Sequence, residues 1–463
     1  MDQQAVRNIG WRVTLAGLGI NLALGVLYAW SVVKAAIPND WGWTDAKKTL
    51  PYAIACLVFS LVMVPAGRAQ DRLGPRWVAF TGGLTVGLGL ILASFTTSVW
   101  IFVLGFGILA GAGIGMGYAA ATPAAVKWFP PQRTGMIAGF VVAGFGLAPV
   151  YISPAAKFLI GHFSKATDAG MNKGPGVQMT LLILGMAFVV IVGVLSQLLA
   201  VPPAGWKPAV PAGSKALAKR VEYTWQEMLA TPQFYLMWIM YAFAAGAGLM
   251  IIGSLSSIVS LQAGIKDAFL FVAFLAVGNA CGRVAAGTLS DVIGRRATMM
   301  IVFLFQAVLM FILAKVSASW AFVIISVLLG ANYGANLALF PAATKDYFGL
   351  KNFGVNYGWV FTAWGVGGLV LSQISGFVFD AAKAANKAAL IAGGMPEALA
   401  AKAAVGNYNT AYLIAGGCLI AAALLALLVR PLAVKAEEPV LAAPQATSPA
   451  QRLSGSAVGA QAN

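Results

Sequence analysis

Twelve apolar stretches, each near or above the ~20 residues a helix needs to cross a hydrocarbon core, leave this chain few ways to fold. They run roughly over 11–36, 51–69, 77–96, 100–128, 134–161, 178–201, 232–262, 267–290, 297–316, 320–343, 353–380 and 408–430. Only 10% of the residues are charged, against roughly 25% in ordinary soluble proteins. Lipid demands that every backbone N–H and C=O be satisfied within the spanning structure. No strand-length alternation broken by turns is present, so the stretches read as helices. The expected class is an all-α integral membrane protein with twelve transmembrane helices.

One charged loop motif occurs twice. GRAQDRLGPR runs from Gly67 to Arg76 and GTLSDVIGRR from Gly287 to Arg296, an offset of 220 residues. A second pair, GMIAGFVVAGFG (135–146) and GVNYGWVFTAWG (354–365), places Gly135, Gly139 and Gly146 on Gly354, Gly358 and Gly365. Repeats at one offset between apolar segments mark a duplicated membrane domain. The expected organisation is two pseudo-symmetric six-helix bundles, 1–201 and 232–430, joined by a Pro-rich cytoplasmic linker, 202–231. WQEMLATPQF (Trp225 to Phe234) reads as a short interfacial helix, 381–407 as an external loop, and 431–463 as a disordered cytoplasmic tail.

The net charge of +16 is topology rather than a nucleic-acid footprint. With the N-terminus inside, 18 of the 30 lysines and arginines fall on the cytoplasmic side, and Arg283 falls inside the membrane. The positive side faces the cytoplasm, so both termini are expected there, in a cell inner (plasma) membrane. The first segment is too long for a signal peptide. Cys56, Cys281 and Cys418 lie in apolar segments without metal or disulfide spacing. His162, the single histidine, reads as a solvated residue at an outer helix end. GAGIGMG (111–117) echoes a dinucleotide fingerprint but follows no soluble strand. No catalytic set, cofactor site or metal cluster is expected.

Arg283 is the residue that most needs explaining. It sits mid-span in FLFVAFLAVGNACGRVAAGTLS, with no other charge between Asp267 and Asp291. A guanidinium there costs at least about 2.5–3.5 kcal/mol. No other span carries a mid-membrane Asp or Glu to neutralise it, so an anionic ligand is the expected partner, held by the planar fork. The competing role, a structural or snorkelling arginine, fits its depth poorly. Asn279 lies one turn back on the same face. Tyr28 and Tyr118 are polar aromatics at mid-span, and Asn332, Tyr333 and Asn336 cluster in the tenth segment. Tyr357, Phe361, Trp364 and Gly368 form a stripe on the eleventh. Asp71, Arg72, Arg76, Asp291 and Arg295, in the repeated loops, are expected to gate one face by pairing or by capping helix ends, besides anchoring the positive side.

These motifs resemble the major facilitator superfamily over nearly the whole chain. Within it, LGVLYAWSV (24–32), GRAQDRLGPR, 115–147, 340–368 and SGFVFD (375–380) are similar to the oxalate:formate antiporter family and the neighbouring monocarboxylate transporters. The resemblance implies carboxylate binding at the midplane between the halves, with alternating access. It places the family's helix 8 arginine on Arg283, its helix 1 and 4 tyrosines on Tyr28 and Tyr118, a helix 5 tyrosine on Tyr151 and a helix 10 aromatic on Tyr333. The oxalate carrier's helix 11 lysine falls on Trp364.

One fixed cation suits a monoanion, because a second carboxylate would lie unpaired in a dry site. The expectation is a monomeric carrier of small carboxylates, with formate, lactate or pyruvate favoured over oxalate. Its partners are that anion and the lipid bilayer, with no nucleic acid. Tyr28, Tyr118 and Tyr333 donate hydrogen bonds, while Trp364 and Phe361 limit cavity size. Exchange needs no titratable group in the path. Proton symport, through the substrate carboxyl or Asp267, is the alternative, followed by efflux of another solute and a non-transporting sensor.

Overall fold

The computed structural model describes residues 8–130, 133–165, 175–203, 206, 222–265, 267–349 and 352–429. Among them twelve helices are long and apolar enough to span a bilayer. The first six are α1 (Gly10–Ala36), α2 (Asp45–Leu73), α3 (Pro75–Ser94), α4 (Val99–Val126), α5 (Met136–Ser164) and α6 (Gly176–Ser196). The second six are α7 (Pro232–Ala263), α8 (Phe269–Ile293), α9 (Arg295–Leu313), α10 (Ser319–Phe348), α11 (Phe353–Ala392) and α12 (Asn409–Leu428). The expected linker between the halves falls mostly outside the described residues, and the tail expected over 431–463 lies outside them.

Trp11, Trp77, Trp100 and Trp320 are exposed at the starts of α1, α3, α4 and α10. Two of them mark one end of the bundle and two the other, as the aromatic belts of a membrane protein do. Between the belts Val190, Val194, Leu424 and Leu428 also face outward, which only lipid tolerates over so wide an area.

The duplication is visible in backbone geometry. α2 ends and α3 begins at Gly74 (φ 84°, ψ 153°), and α8 ends and α9 begins at Gly294 (φ 88°, ψ 154°). Positive φ is costly for a side chain-bearing residue, so both copies of the loop motif need their second glycine.

Without a hydrophobic drive between helices in lipid, small residues set the packing. Gly278 and Gly282 on α8 face Gly330 and Gly334 on α10. A Cβ on Gly278 would overlap the Val327 carbonyl, and one on Gly282 the Ala331 carbonyl. Reciprocally, Gly330 meets Leu275 O and Gly334 meets Asn279 O. This contact fixes the rotation of α8, and with it where Arg283 points. Across the halves, α2 packs on α11 and α5 on α8. The residues to Pro431 form one compact unit.

Two elements differ from the sequence expectation. α11 does not stop near 380 but continues as one 40-residue helix to Ala392. The Ala- and Lys-rich stretch expected as loop is made of strong helix formers that extend the helix past the bilayer. A second short helix, Glu397–Ala403, follows. Within the expected interfacial helix, Trp225–Leu229 is helical, opened by a Thr224–Glu227 capping box. Thr231 then caps α7.

Candidate functional site

Arg283 lies near the middle of α8 and is half-buried. Its Nε donates to Asn279 Oδ1 at 3.1 Å, and its Nη1 donates to the Val142 carbonyl at 3.0 Å. Val142 belongs to α5, so the guanidinium spans the two halves. Among the described residues no carboxylate pairs with it.

Two donors remain. Because Nε holds the Asn279 oxygen, the amide nitrogen turns the other way, and Asn279 Nδ2 is buried without an acceptor. Arg283 Nη2 faces the same place. A Cβ on Gly146 would sit 3.1 Å from Nη2 and 3.4 Å from Nδ2. A charged donor and an amide donor thus converge beside a glycine on the opposite half. Leaving a buried donor unpaired costs about 1–3 kcal/mol, so the arrangement favours an anionic acceptor.

Hydroxyls and rings complete the surroundings. Tyr28 lies in a short 3-10 turn, Gly25–Ala29, within α1. Its Oη is 2.5 Å from Tyr333 Oη on α10. Trp364 Nε1 on α11 donates to that same Tyr333 oxygen at 2.8 Å. The Arg283 charge is close enough to act on Tyr28, Tyr118 and Tyr357. Tyr118 stacks on Phe361, with centroids 6.3 Å apart, and Phe361 stacks on Trp364 at 5.1 Å. The walls are aromatic and the donors few, as in small-ligand sites generally.

Of the residues expected here, Arg283, Asn279, Tyr28, Tyr118, Tyr333, Phe361 and Trp364 come together. Two do not. Tyr151 is 42% exposed on the outside of α5 and donates to the Leu22 carbonyl at 3.0 Å. The first half of α5, 136–150, carries no polar side chain, so its sequence does not mark which face is inward. Asn332 donates to Leu328 O on its own helix at 2.8 Å, one residue out of phase with Tyr333. Phe59 and Phe145 join the site unforeseen. Phe59 packs on Tyr118, Phe361 and Trp364, and Phe145 on Tyr28 and Tyr118. Neither carries a polar atom that would distinguish it from lipid-facing neighbours.

The expected gating residues bond within their own halves. Asp71 accepts from Lys127 at 3.3 Å and from Gln70 at 2.6 Å. Arg76 donates to Gln197, and Arg72 is exposed. Arg295 pairs with Asp291 at 2.7 Å and Asp346 at 3.0 Å.

The bonds that join the halves here, Arg283 to Val142, Tyr28 to Tyr333 and Tyr52 to the Leu249 carbonyl, lie at or beyond the level of Arg283, toward the end opposite these loops. That far end is closed by a buried cluster the sequence did not reveal. Lys34, 1% exposed, donates to Asp45 Oδ2 at 2.8 Å and to Ser254 Oγ on α7 at 2.9 Å. Tyr408 Oη donates to Asp45 Oδ1 at 3.2 Å. Asp380 on α11 accepts the Asp45 and Ala46 amides at 2.8 and 3.0 Å, capping the first turn of α2. Lys34 and Asp45 fall at segment ends, where charge reads as ordinary solvated loop.

The chain has relatives among known membrane transporters. The sequence profile of the Major Facilitator Superfamily matches residues 13–370 and 267–460. The chain is 26% identical over 363 residues to the uncharacterized MFS-type transporter YhjX of Escherichia coli (strain K12), covering 78% of this chain and 86% of that one. It is 26% identical over 408 residues to the oxalate:formate antiporter of Oxalobacter formigenes, 87% of each chain. Apicoplast pyruvate carrier 1 of Toxoplasma gondii is 26% identical over 352 residues, 65% of this chain and 64% of that one. A bacterial homolog of the human lysosomal transporter Spinster, solved in an inward-facing and occupied conformation, superposes with a TM-score of 0.67 at 17% identity, covering 91% and 96% of the two chains.

Proposed function

The chain belongs to the Major Facilitator Superfamily and is a multi-pass membrane transporter, not an enzyme, and from that premise we propose that it exchanges small monocarboxylates across the cell's inner (plasma) membrane. The halves, 1–201 and 232–430, rock about the midplane with both termini cytoplasmic, so the closed far end is the outer one. The observation that supports the reading is the convergence beside Gly146 of Asn279 Nδ2, buried without an acceptor, and Arg283 Nη2, which takes no part in the guanidinium's bonds to Asn279 and Val142.

A carboxylate there takes a charge-assisted bond from Nη2 and a neutral one from Nδ2. Tyr28 supplies a further hydroxyl. Trp364 donates only, so it orients the Tyr333 oxygen. Phe361 and Trp364 bound the space left for the acid's tail. With no second cation beside Arg283, a dianion would carry one carboxylate unpaired. The relatives named for oxalate and formate and for pyruvate support the carboxylate class. Asp71, Arg72, Arg76, Asp291 and Arg295 act on the cytoplasmic face when the halves rock the other way. A single monomer contains the whole path.

The test is counterflow in proteoliposomes preloaded with formate, lactate, pyruvate or oxalate. Uptake that requires internal anion and ignores a pH gradient supports exchange. Uptake into empty vesicles driven by a proton gradient replaces it with symport. Arg283→Ala is expected to abolish flux in a protein that still inserts, and wild-type uptake by that variant defeats the site. Trp364→Lys is expected to shift preference toward oxalate.

A further inference from the structure

A cavity of about 540 Å³ opens at the closed far end, separate from the Arg283 site. It lies between the halves, above the Lys34–Asp45 pair that forms its floor. Its lining includes Lys34, Lys48, Lys383 and Lys387, against only Asp45 and Asp380.

Both carboxylates are already engaged. Asp45 is held by Lys34 and Tyr408, and both oxygens of Asp380 by backbone amides. Lys387 donates to Glu397 at 2.8 Å, which holds that exposed carboxyl below the usual carboxylate range. Two cations are left over. Lys48 donates once, to the Ile37 carbonyl at 3.0 Å, and keeps two of its three N–H donors. Lys383 is exposed, with no bonded acceptor among the described residues. Lys48 is half-buried, with Asp45, Lys34, Lys383 and Asp380 near enough to act on its charge. A cavity walled by low-dielectric protein focuses such an excess of one sign. Trp43, Phe379 and Tyr408 line the same space with rings. Rings beside free ammoniums suit an acid with a short apolar tail. A phosphate or a polyacid would leave the aromatic wall unused.

We propose that this cavity is a second anion site, a vestibule in which Lys48 and Lys383 hold an external monocarboxylate while the outer end is still shut. The inference rests on the carboxylate reading of the Arg283 site. Opening the far end parts Lys34 and Asp45 from α7 and α11 and delivers the waiting anion inward to Arg283. The vestibule acts on loading from outside only, so it lowers external KM without touching the internal one.

The experiment uses the full chain in right-side-out vesicles preloaded with whichever of formate, lactate, pyruvate or oxalate the wild type exchanges. In Lys48→Gln/Lys383→Gln, external KM is expected to rise about tenfold, the loss of one charge-assisted contact. Maximal rate and internal KM stay unchanged. Lys48→Arg with Lys383→Arg keeps the charge and is expected to retain the wild-type external KM, which separates the anion role from the bond to Ile37. Added salt is expected to raise wild-type external KM and to leave the Gln variant unmoved. An unchanged external KM in a transporting Gln variant overturns the vestibule alone, as does an equal rise on both sides. A wild type that moves none of the four acids overturns the carboxylate reading, and this proposal with it.

Discussion

At the far end the halves are joined by buried charge, whereas at the loop end the charges of the repeated motifs are mostly exposed and bond within their own half. Lys34 and Asp45 are 1% and 9% exposed, while Lys127 and Asp71 are 44% and 63% exposed. The difference decides what each set can do in this conformation. A buried pair that loses one partner leaves an uncompensated charge. An exposed pair is screened and contributes little. The far end is therefore the fastened one, and the repeated loop motifs stand ready without joining the halves.

The largest effect expected from breaking this contrast is a covalent one. Ser31 Oγ on α1 and Ser256 Oγ on α7 lie 3.3 Å apart across the halves, so cysteines of nearly the same shape bring two sulfurs within reach of a bond. Oxidised Ser31→Cys/Ser256→Cys is expected to stop exchange entirely, and reduction to restore it. Full flux in the oxidised protein would mean that the far end does not open.

Next comes Asp45→Ala, which leaves Lys34 buried on Ser254 without a counter-charge and weakens closure by about 3–5 kcal/mol. Cys56 reports the result. It is buried where α2 meets α11, with its Cβ 3.0 Å from a Cβ placed on Gly368. With Cys281 and Cys418 replaced by serine, labelling of Cys56 by an impermeant maleimide is expected to accelerate strongly from the far side. Asp380→Asn retains one acceptor but loses the charge on the α2 cap. It is expected to weaken closure by about 1.5–3 kcal/mol, read as a smaller acceleration of the same label. Asp71→Asn, at the loop end, is expected to change the label rate by less than fivefold, within the ~1 kcal/mol of an exposed pair. A larger change would mean that the loop motif already carries closure in this state.

The fold was legible because membrane helices announce themselves by length and hydropathy, and because the two loop motifs share a spacing that their positive-φ glycines require. Arg283 was legible for the same reason, as a charge where lipid tolerates none. What could not be read was helix phase. Tyr151 and Phe145 lie six residues apart on one apolar helix, yet Phe145 reaches the site and Tyr151 faces out. In water, polarity marks the outer face of a helix, and in lipid that mark is gone. Lys34 and Asp45 were hidden differently. They are separated by a chain reversal, and their burial is made by Ser254, Asp380 and Tyr408 from the other half.

The length of α11 has a mechanical consequence. Forty residues of unbroken helix make a rod of about 60 Å, longer than the ~40–45 Å of a bilayer with its headgroups. Its last turns stand clear of lipid, so the rod works as a lever whose tip magnifies any tilt of its half. A fluorophore near Ala389 would register that swing from the aqueous phase, without a probe in the bilayer or the permeation path.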